Sequence, residues 1–257
     1  MKITRSLAAY ALGAYLFLYA PLLILAAFSF NRSKFTVWEG FSLTWYRAAF
    51  HDPQLGEGAI NSLVIAFVAT FLSTSIGTLC AYGLWKRSSP VLAGSLYLSL
   101  VTPEIVTGIS LLAFYQAIFR FLHLRLGMHT VIMAHVAFSI AYVVIVILAR
   151  LRTMDGHLEE AALDLGADEW GAFRYVTLPA IWPAVISAAL LAFTVSFDDY
   201  VITSLVAGVD SETLPMVVYA IARRGVNPVV NAISAMVVFG FGVLILLSES
   251  LRVKETT

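Results

Sequence analysis

The chain has 257 residues, a length that would allow one or two soluble domains. Its composition excludes that class, because 60% of the residues are hydrophobic, only 12% are charged, and the mean hydropathy is +0.86. A formal net charge of zero argues against a nucleic-acid-binding protein and against a basic protein held on a membrane surface. The single cysteine, Cys80, offers neither a disulfide nor a zinc pattern. We therefore expect an integral membrane protein.

Six apolar segments, each free of Lys and Arg, follow one another along the chain. Such long runs are typical of helices and not of the short alternating strands of a barrel. The sequence predicts an all-α membrane protein with one domain over residues 1–257. Its six transmembrane helices are predicted at 7–29, 59–84, 91–119, 130–149, 181–206 and 229–247.

The first segment follows Lys2 and Arg5 and is longer than the core of a cleaved signal peptide, so it is interpreted as a membrane anchor. A topology with both termini in the cytoplasm places a small excess of Lys and Arg inside. The aromatic-rich loop 30–58 then lies outside, as an interfacial segment. The apolar run 214–222 is too short to cross the membrane and predicts a short outer or re-entrant helix.

The cytoplasmic loop 150–180 contains two predicted helices. The first is amphipathic and ends at Gly166. Its apolar face is expected to consist of Leu158, Ala161, Ala162 and Leu165, and its polar residues are Glu159, Glu160 and Asp164. Asp168 is expected to cap the second helix, and Pro179 to end it before the fifth span. On this pattern alone, a hairpin that covers the inner end of the bundle remains an alternative to a partner-binding element.

The individual residues of this loop identify it more specifically than its hydrophobic periodicity does. Glu160-Ala161-Ala162, Gly166, Val176 and Leu178-Pro179 match the pattern EAA-x3-G-x9-[IV]-x-LP. The segment resembles the cytoplasmic loop of the membrane subunits of bacterial ABC importers. The resemblance implies a type I permease fold with a coupling helix that inserts into a groove on a separate ATPase subunit. The family pattern carries over directly to Glu160, Ala161, Ala162, Gly166, Leu178 and Pro179. The residues expected to couple to the ATPase are Glu160, Ala161, Ala162, Asp164, Leu165 and Gly166.

ATP hydrolysis is not expected in this chain. The phosphate-binding pattern GxxxxGK[ST] is absent, since none of the four lysines follows a glycine. We expect that the chain is not an enzyme and binds no cofactor, and that separate ATPase subunits bind ATP and magnesium. An intramembrane metalloprotease is disfavoured by the lack of HExxH. A transporter that works alone is a weaker alternative, because the coupling loop argues against it.

Three acidic residues fall within the predicted spans, Glu104 in the third and Asp198 and Asp199 in the fifth. A carboxylate in hydrocarbon costs at least ~2.5–3.5 kcal/mol, so each should face a cavity or find a partner. Adjacent helical residues point about 100° apart, so at most one aspartate faces the path unless the helix is broken. Pro103 is expected to bend the third span, and His135 is interpreted mainly as a packed or hydrogen-bonded residue of the bundle.

Purely acidic charge within the spans favours a cationic substrate, and aromatic rings can add cation–π contacts to an ammonium group. The predicted substrate pathway comprises Glu104, Asp198, Asp199, Phe197, Tyr200 and Tyr115. The stretches TPEIVTGISLLAFY, FTVSFDDYVITSLVAG and ETLPMVVYAIARRGVNPVVNAIS are similar to the second permease subunit of spermidine/putrescine ABC importers.

This second resemblance implies a set of partners. They are a related permease forming a heterodimer, two ATPase subunits, a periplasmic binding protein that delivers a polyamine, and the lipid of the bacterial inner membrane. Permeases for thiamine, ferric iron, opines or other organic cations share the pattern and stay open as alternatives.

Overall fold

The computed structural model describes residues 2–35, 37–122, 124–225 and 227–255. Within them the backbone is helical apart from turns, short extended segments and an isolated antiparallel bridge between Asn31 and Phe41. A π-helical segment, Phe173–Thr177, joins α8 to α9. The helices are α1 (Lys2–Phe28), α2 (Thr44–Phe50), α3 (Pro53–Lys86), α4 (Pro90–Val101), α5 (Glu104–Leu122), α6 (Met128–Leu151), α7 (His157–Asp164), α8 (Glu169–Ala172), α9 (Leu178–Asp198), α10 (Val201–Val206), α11 (Leu214–Arg223) and α12 (Pro228–Glu255). The all-α prediction is confirmed, and α11 is the predicted short helix.

Five helical stretches in the described part are long and apolar enough to cross a membrane. They are Tyr10–Phe28, Pro53–Lys86, Glu104–Phe121, Met128–Leu151 and Glu169–Asp198, and they correspond to the first five predicted spans. The sixth predicted span, 229–247, falls in α12, whose described apolar part is the shorter segment Pro228–Val243. The side chains of residues 244–247 lie outside the described residues, so the count of six stays a prediction.

The third predicted span, 91–119, is wrong as one continuous helix. α4 ends at Val101, Thr102 is extended with φ −67° and ψ 128°, and α5 begins at Glu104. The residue before a proline is disfavoured in helical conformation, and Pro103 itself has no N–H to donate. The Thr102–Pro103 pair therefore separates two helices where the sequence predicts a bend within one.

The fifth predicted span, 181–206, is interrupted in the same way. α9 ends at Asp198, Asp199 is extended with φ −66° and ψ 124°, and α10 begins at Val201. The Asp199 side chain accepts hydrogen bonds from the N–H groups of Ile202 at 3.3 Å and Thr203 at 2.7 Å. It thus satisfies donors that the first turn of a helix otherwise leaves without partners.

Asp168 caps α8 as predicted, since its Oδ1 accepts from the N–H of Gly171 at 2.8 Å. The prediction that Pro179 ends this helix is wrong, because the helical stretch continues to Asp198. The N–H of Leu178 donates to the carbonyl of Phe173, a π-type bond, and Pro179 then occupies the first turn of α9. A missing N–H is tolerated at that position.

The chain divides into two compact units, of which the first comprises residues 1–56 and 217–257. In it α12 packs against α1 and α2. The buried Asn31 organises the loop before α2: its amide donates to the carbonyl of Val37 at 2.8 Å, and its oxygen accepts from the N–H of Glu39 at 3.0 Å. Phe35 and Trp38 of this loop are exposed, which fits the predicted interfacial segment.

The second unit comprises residues 57–216. α6 and α9 pack along each other and enclose, with α3, a core of buried aliphatic side chains. α5 and α10 pack against each other and against α6 around a second core that includes Val131, Phe138 and Ile202. The two interrupted helices are therefore both held against α6.

Candidate substrate cavity and coupling surface

A cavity of about 450 Å³ lies in the second unit where the two helix interruptions meet. Thr102 and Glu104 line it from the first interruption, and Asp198, Asp199 and Tyr200 from the second. The other lining residues are Ser99, Leu100, Thr107, Phe138, Tyr142, Thr194, Val195, Val201 and Ile202. The fold thus brings the three acids of the predicted spans to one cavity, although 94 residues separate Glu104 from Asp198 in the chain.

Glu104 and Asp198 are the two exposed acids of this lining. Both sit at helix ends, where a chain interruption leaves backbone groups available to a cavity. Gly108, one turn after Glu104, allows α5 to approach α10 closely, because a Cβ at this position would lie 2.6 Å from Leu205 Cδ1. The same Cβ would lie 3.4 Å from the Cα of Ile202, so the two helix backbones are close at this point.

Asp199 is bound mainly inside the protein. Its side chain is 6% exposed. Besides the two backbone N–H groups of α10, it accepts a hydrogen bond from the hydroxyl of Thr203 at 2.7 Å and lies 3.4 Å from Nε2 of His135. These contacts use most of its lone pairs, so Asp199 holds the start of α10 and leaves the open part of the cavity to Asp198.

His135 is fully buried beneath this acid, with both ring nitrogens hydrogen-bonded. Nδ1 lies 2.7 Å from Ser196 Oγ, and Nε2 lies 2.9 Å from Thr203 Oγ1. Because the Thr203 hydroxyl donates its proton to Asp199, Nε2 is the donor in the bond to Thr203. The interpretation of His135 as a bonded residue of the bundle is confirmed, and its chain of bonds connects α6, α9 and α10.

The aromatic residues of the predicted pathway are divided. Tyr200 lines the cavity, whereas Phe197 stacks on Phe193 with ring centres 6.0 Å apart. Tyr115 is 2% exposed and stacks on Phe119 in the second core. Neither Phe197 nor Tyr115 is part of the lining.

Two aromatic residues of the lining are absent from the sequence prediction. Phe138 and Tyr142 lie on α6, three and seven positions after His135. This spacing places all three residues on one helix face. The periodicity around His135 could therefore have identified them.

The coupling loop ends α7 as the motif predicts. Gly166 has φ +93°, a conformation that residues with a Cβ rarely adopt. Its N–H donates to the carbonyl of Leu163 at 2.9 Å, and the N–H of Ala167 donates to that of Ala162 at 3.0 Å. These two bonds form a Schellman motif, which turns the chain sharply after the helix.

The orientation of α7 differs from the amphipathic prediction. Leu158 is 53% exposed and Leu165 is 89% exposed, so the expected apolar face points away from the unit. The motif residues in α7 and its turn share this outer side: Ala162 is half-buried, and Glu160, Ala161 and Gly166 are exposed. We call the following exposed residues the coupling surface: Leu158, Glu160, Ala161, Asp164, Leu165 and Gly166. The other side of α7 packs on the end of α3, so these apolar side chains stay uncovered although apolar side chains favour burial.

Glu159, one of the three predicted polar residues of α7, faces inward. It is 1% exposed and is bound by the ammonium group of Lys86 and by the hydroxyls of Tyr82 at 2.7 Å and Thr177 at 2.8 Å. Burial raises the pKa of this carboxyl, but the three donors and the charge of Lys86 outweigh burial and lower the pKa from its ordinary value of 4.5.

The contacts also group the loops of the second unit by side. The bond between Lys86 and Glu159 places the end of α3 beside α7. At the other end of α3, the Asn61 amide donates to the carbonyl of Glu212 at 2.9 Å, and the Leu214 N–H donates to Ser62 Oγ at 2.9 Å. Loops 87–89 and 152–156 therefore share one side of the unit, and the segment 207–213 lies on the other.

Known proteins resemble the chain over nearly its whole length. Residues 73–253 match the family described as binding-protein-dependent transport system inner membrane components. The spermidine/putrescine transport system permease protein PotC of Haemophilus influenzae is 38% identical over 96% of each chain. The putrescine transport system permease protein PotI of Escherichia coli is 43% identical over 89% of this chain and 84% of its own.

Solved structures agree on the fold. A bacterial alginate ABC transporter, crystallised with a periplasmic protein bound to an alginate pentasaccharide, contains a chain that matches 95% of this one with a TM-score of 0.72 and 15% identity. A chain of an amino acid ABC transporter matches 82% with a TM-score of 0.59 and 24% identity. The chain belongs to the family of inner-membrane components of binding-protein-dependent transport systems, and it is a non-enzymatic, multi-pass permease subunit of an ABC importer.

Proposed function

We propose that this permease imports a polyamine such as spermidine or putrescine. The observation that carries the proposal is the cavity at the two helix interruptions, where Glu104 and Asp198 are exposed and the charged side chains of the lining are all acidic. Two carboxylates in one cavity suit a substrate with two or more ammonium groups. Tyr142, Phe138 and Tyr200 add aromatic faces to the same lining. The names of the relatives, which are permeases for spermidine and putrescine, support the same substrate class.

The coupling surface is the proposed binding site for a separate ATPase subunit. It combines exposed Leu158 and Leu165 with the carboxylates of Glu160 and Asp164. An apolar patch with flanking acids is complementary to a groove that carries basic groups at its edge. ATP and magnesium bind to two such subunits in this proposal, and the present chain holds no cofactor.

The other partners follow from a topology with both termini in the cytoplasm of a bacterial cell. The coupling surface then faces the cytoplasm, and segment 207–213 faces outward, where a periplasmic binding protein delivers the substrate. A second, related permease completes the translocation path as a heterodimer in the lipid bilayer. The grouping of loops in the second unit, with Lys86 beside Glu159, supports this arrangement.

Radiolabelled uptake tests the substrate. Cells that carry the whole transporter are given labelled putrescine, with spermidine, thiamine and an amino acid as competitors. Glu104→Gln and Asp198→Asn should each lower polyamine uptake at least about tenfold, which corresponds to ~1.4 kcal/mol of lost attraction. Glu39→Gln is the matched control, because Glu39 is exposed and lies outside the cavity. Competition by thiamine but not by spermidine would contradict the polyamine proposal.

A second experiment tests the coupling surface. Glu160→Arg reverses an exposed charge, and Gly166→Pro cannot adopt φ +93° and loses the N–H that bonds to Leu163. Both variants should insert in the membrane, fail to co-purify with the ATPase subunits and abolish uptake. Normal uptake by either variant would exclude this surface as the site of coupling.

A further inference from the structure

The carboxylate of Glu159 joins three elements of the second unit. It projects inward from α7, and its donors come from elsewhere: Tyr82 and Lys86 lie in the last turns of α3, and Thr177 ends the π-helical segment. The donors are 77, 73 and 18 residues away in the chain. We call Glu159, Tyr82, Lys86 and Thr177 the α7 clamp.

Aromatic rings pack around the buried end of the clamp. Tyr82 packs on Phe173 with ring centres 4.6 Å apart, and Trp170 packs on Phe173 at 5.4 Å. The Lys86 ammonium lies 5.4 Å from the ring centre of Trp85, which adds a cation–π contact. Lys86 is 37% exposed whereas Glu159 is 1% exposed, so the pair lies at the rim of the unit with its acid inside.

A buried charge with this many partners resists separation from them. Pulling α7 away from α3 would break the ion pair with Lys86 and the hydrogen bond from Tyr82, and hydrogen bonds to a charged group are among the stronger ones in a protein. The alternative for α7 is to move with its donors as one body. Polar networks that are fully satisfied act in this way, as rigid joints.

The clamp lies at the start of the helix that leads to the cavity. Thr177 directly precedes α9, and α9 runs without interruption from Leu178 to Asp198. At 1.5 Å per residue, its 21 residues extend ~30 Å. A displacement imposed on α7 can therefore reach the Asp198–Asp199 interruption through a single helix.

We propose that Glu159 is the positioning residue that makes α7, the end of α3 and α9 move together, so that motion of the ATPase subunits is converted into a change at the cavity. This inference rests on the proposed function, since it requires ATPase subunits at the coupling surface. It separates two tasks of neighbouring residues: Glu160 binds the partner, and Glu159 transmits the motion.

The test measures transport and ATP hydrolysis in the same preparation. The complete transporter is reconstituted in proteoliposomes with its binding protein, and substrate taken up per ATP hydrolysed is determined for each variant. In Glu159→Gln and Lys86→Gln the ATPase subunits should still co-purify and hydrolyse ATP within about twofold of wild type, while uptake per ATP falls about tenfold or more. Lys86→Arg, which keeps the charge, should restore most of the coupling, and Arg87→Gln at the adjacent exposed position should behave as wild type.

A milder variant is used if the transporter with Glu159→Gln does not assemble. Tyr82→Phe removes one hydroxyl donor and keeps the ring on Phe173, so it should lower uptake per ATP by a smaller factor. Parallel loss of uptake and ATP hydrolysis in all variants would overturn the inference and leave Glu159 a residue of stability only. Unchanged uptake per ATP would overturn it as well. Failure of the wild-type transporter to take up polyamine would instead count against the proposed function.

Discussion

Two pairs of adjacent carboxylates lie at opposite ends of α9 and its preceding loop. In the coupling loop, Glu159 is buried and hydrogen-bonded whereas Glu160 is 73% exposed. At the cavity, Asp199 is 6% exposed and bound by α10 whereas Asp198 is exposed. In each pair one acid holds the structure together and its neighbour faces a partner or a substrate.

The difference within each pair follows from backbone geometry. Glu159 and Glu160 are neighbours on one helix, so their side chains point about 100° apart. Asp198 ends α9 whereas Asp199 is extended, and the helix break lets the Asp199 side chain bond to the first turn of α10. The buried member is stabilised by donors from other helices, His135 and Thr203 in one case and Lys86 and Thr177 in the other. Loss of the buried acid should therefore lower stability more than loss of its exposed neighbour.

The largest expected effect separates Asp199 from Asp198. Asp199→Ala leaves two N–H groups of α10 and the Thr203 hydroxyl without their acceptor, which should lower the free energy of unfolding by about 3 kcal/mol. Asp198→Ala should lower uptake but change the unfolding temperature little. Thermal unfolding of both purified variants in detergent makes the comparison, and equal unfolding temperatures would remove the distinction between the two aspartates.

The next effect depends on pH and concerns Glu159. Its pKa is lowered in the folded protein, so its contribution to stability is complete above its ordinary value of 4.5 and is lost as the pH falls through the lower folded value. Glu159→Gln should be about 2 kcal/mol less stable than wild type at pH 7. The difference in stability between wild type and Glu159→Gln should decrease as the pH falls below 4.5. Thermal unfolding of wild type and variant across that range is the measurement, and a constant gap would show that the charge is not its source.

The sequence predicted the ends of the coupling loop better than its orientation. Gly166 and Asp168 act locally, through a left-handed turn and an N-terminal cap. Their residue types alone therefore predict where the helices of the loop end and begin. The orientation of α7 is set by Tyr82 and Lys86, more than 70 residues away. A prediction from periodicity places the apolar face of a helix inward. In α7 the apolar face is exposed, and the buried residue is a glutamate that accepts hydrogen bonds from other helices.

The same contrast explains the cavity. The sequence predicted a substrate pathway at the third and fifth spans, because Pro103 bends one span and because carboxylates in a membrane need a cavity or a partner. The complete break after Asp198 was not predicted, because it depends on Asp199 bonding to the N–H groups of α10. Tyr115 packs in the second core and does not line the cavity, and an aromatic residue in a span carries no sequence signal that distinguishes these two positions.

The smallest effect concerns the exposed member of the coupling pair. Nδ1 of His157 lies 3.1 Å from Glu160 Oε2, and this bond, with the charges of Asp155 and Glu160, raises the pKa of His157 above its ordinary value of 6.5. The protonated His157 ring therefore stabilises α7 fully below pH 6.5, and this stabilisation is lost as the pH rises through the raised pKa. His157→Gln should unfold at a slightly lower temperature than wild type at pH 6 and at the same temperature at pH 8.5. Because both side chains are largely exposed, solvent screening keeps the difference small. A large difference at either pH would mean that Glu160 is held within the fold, as Glu159 is, and would end the division of tasks between the two residues.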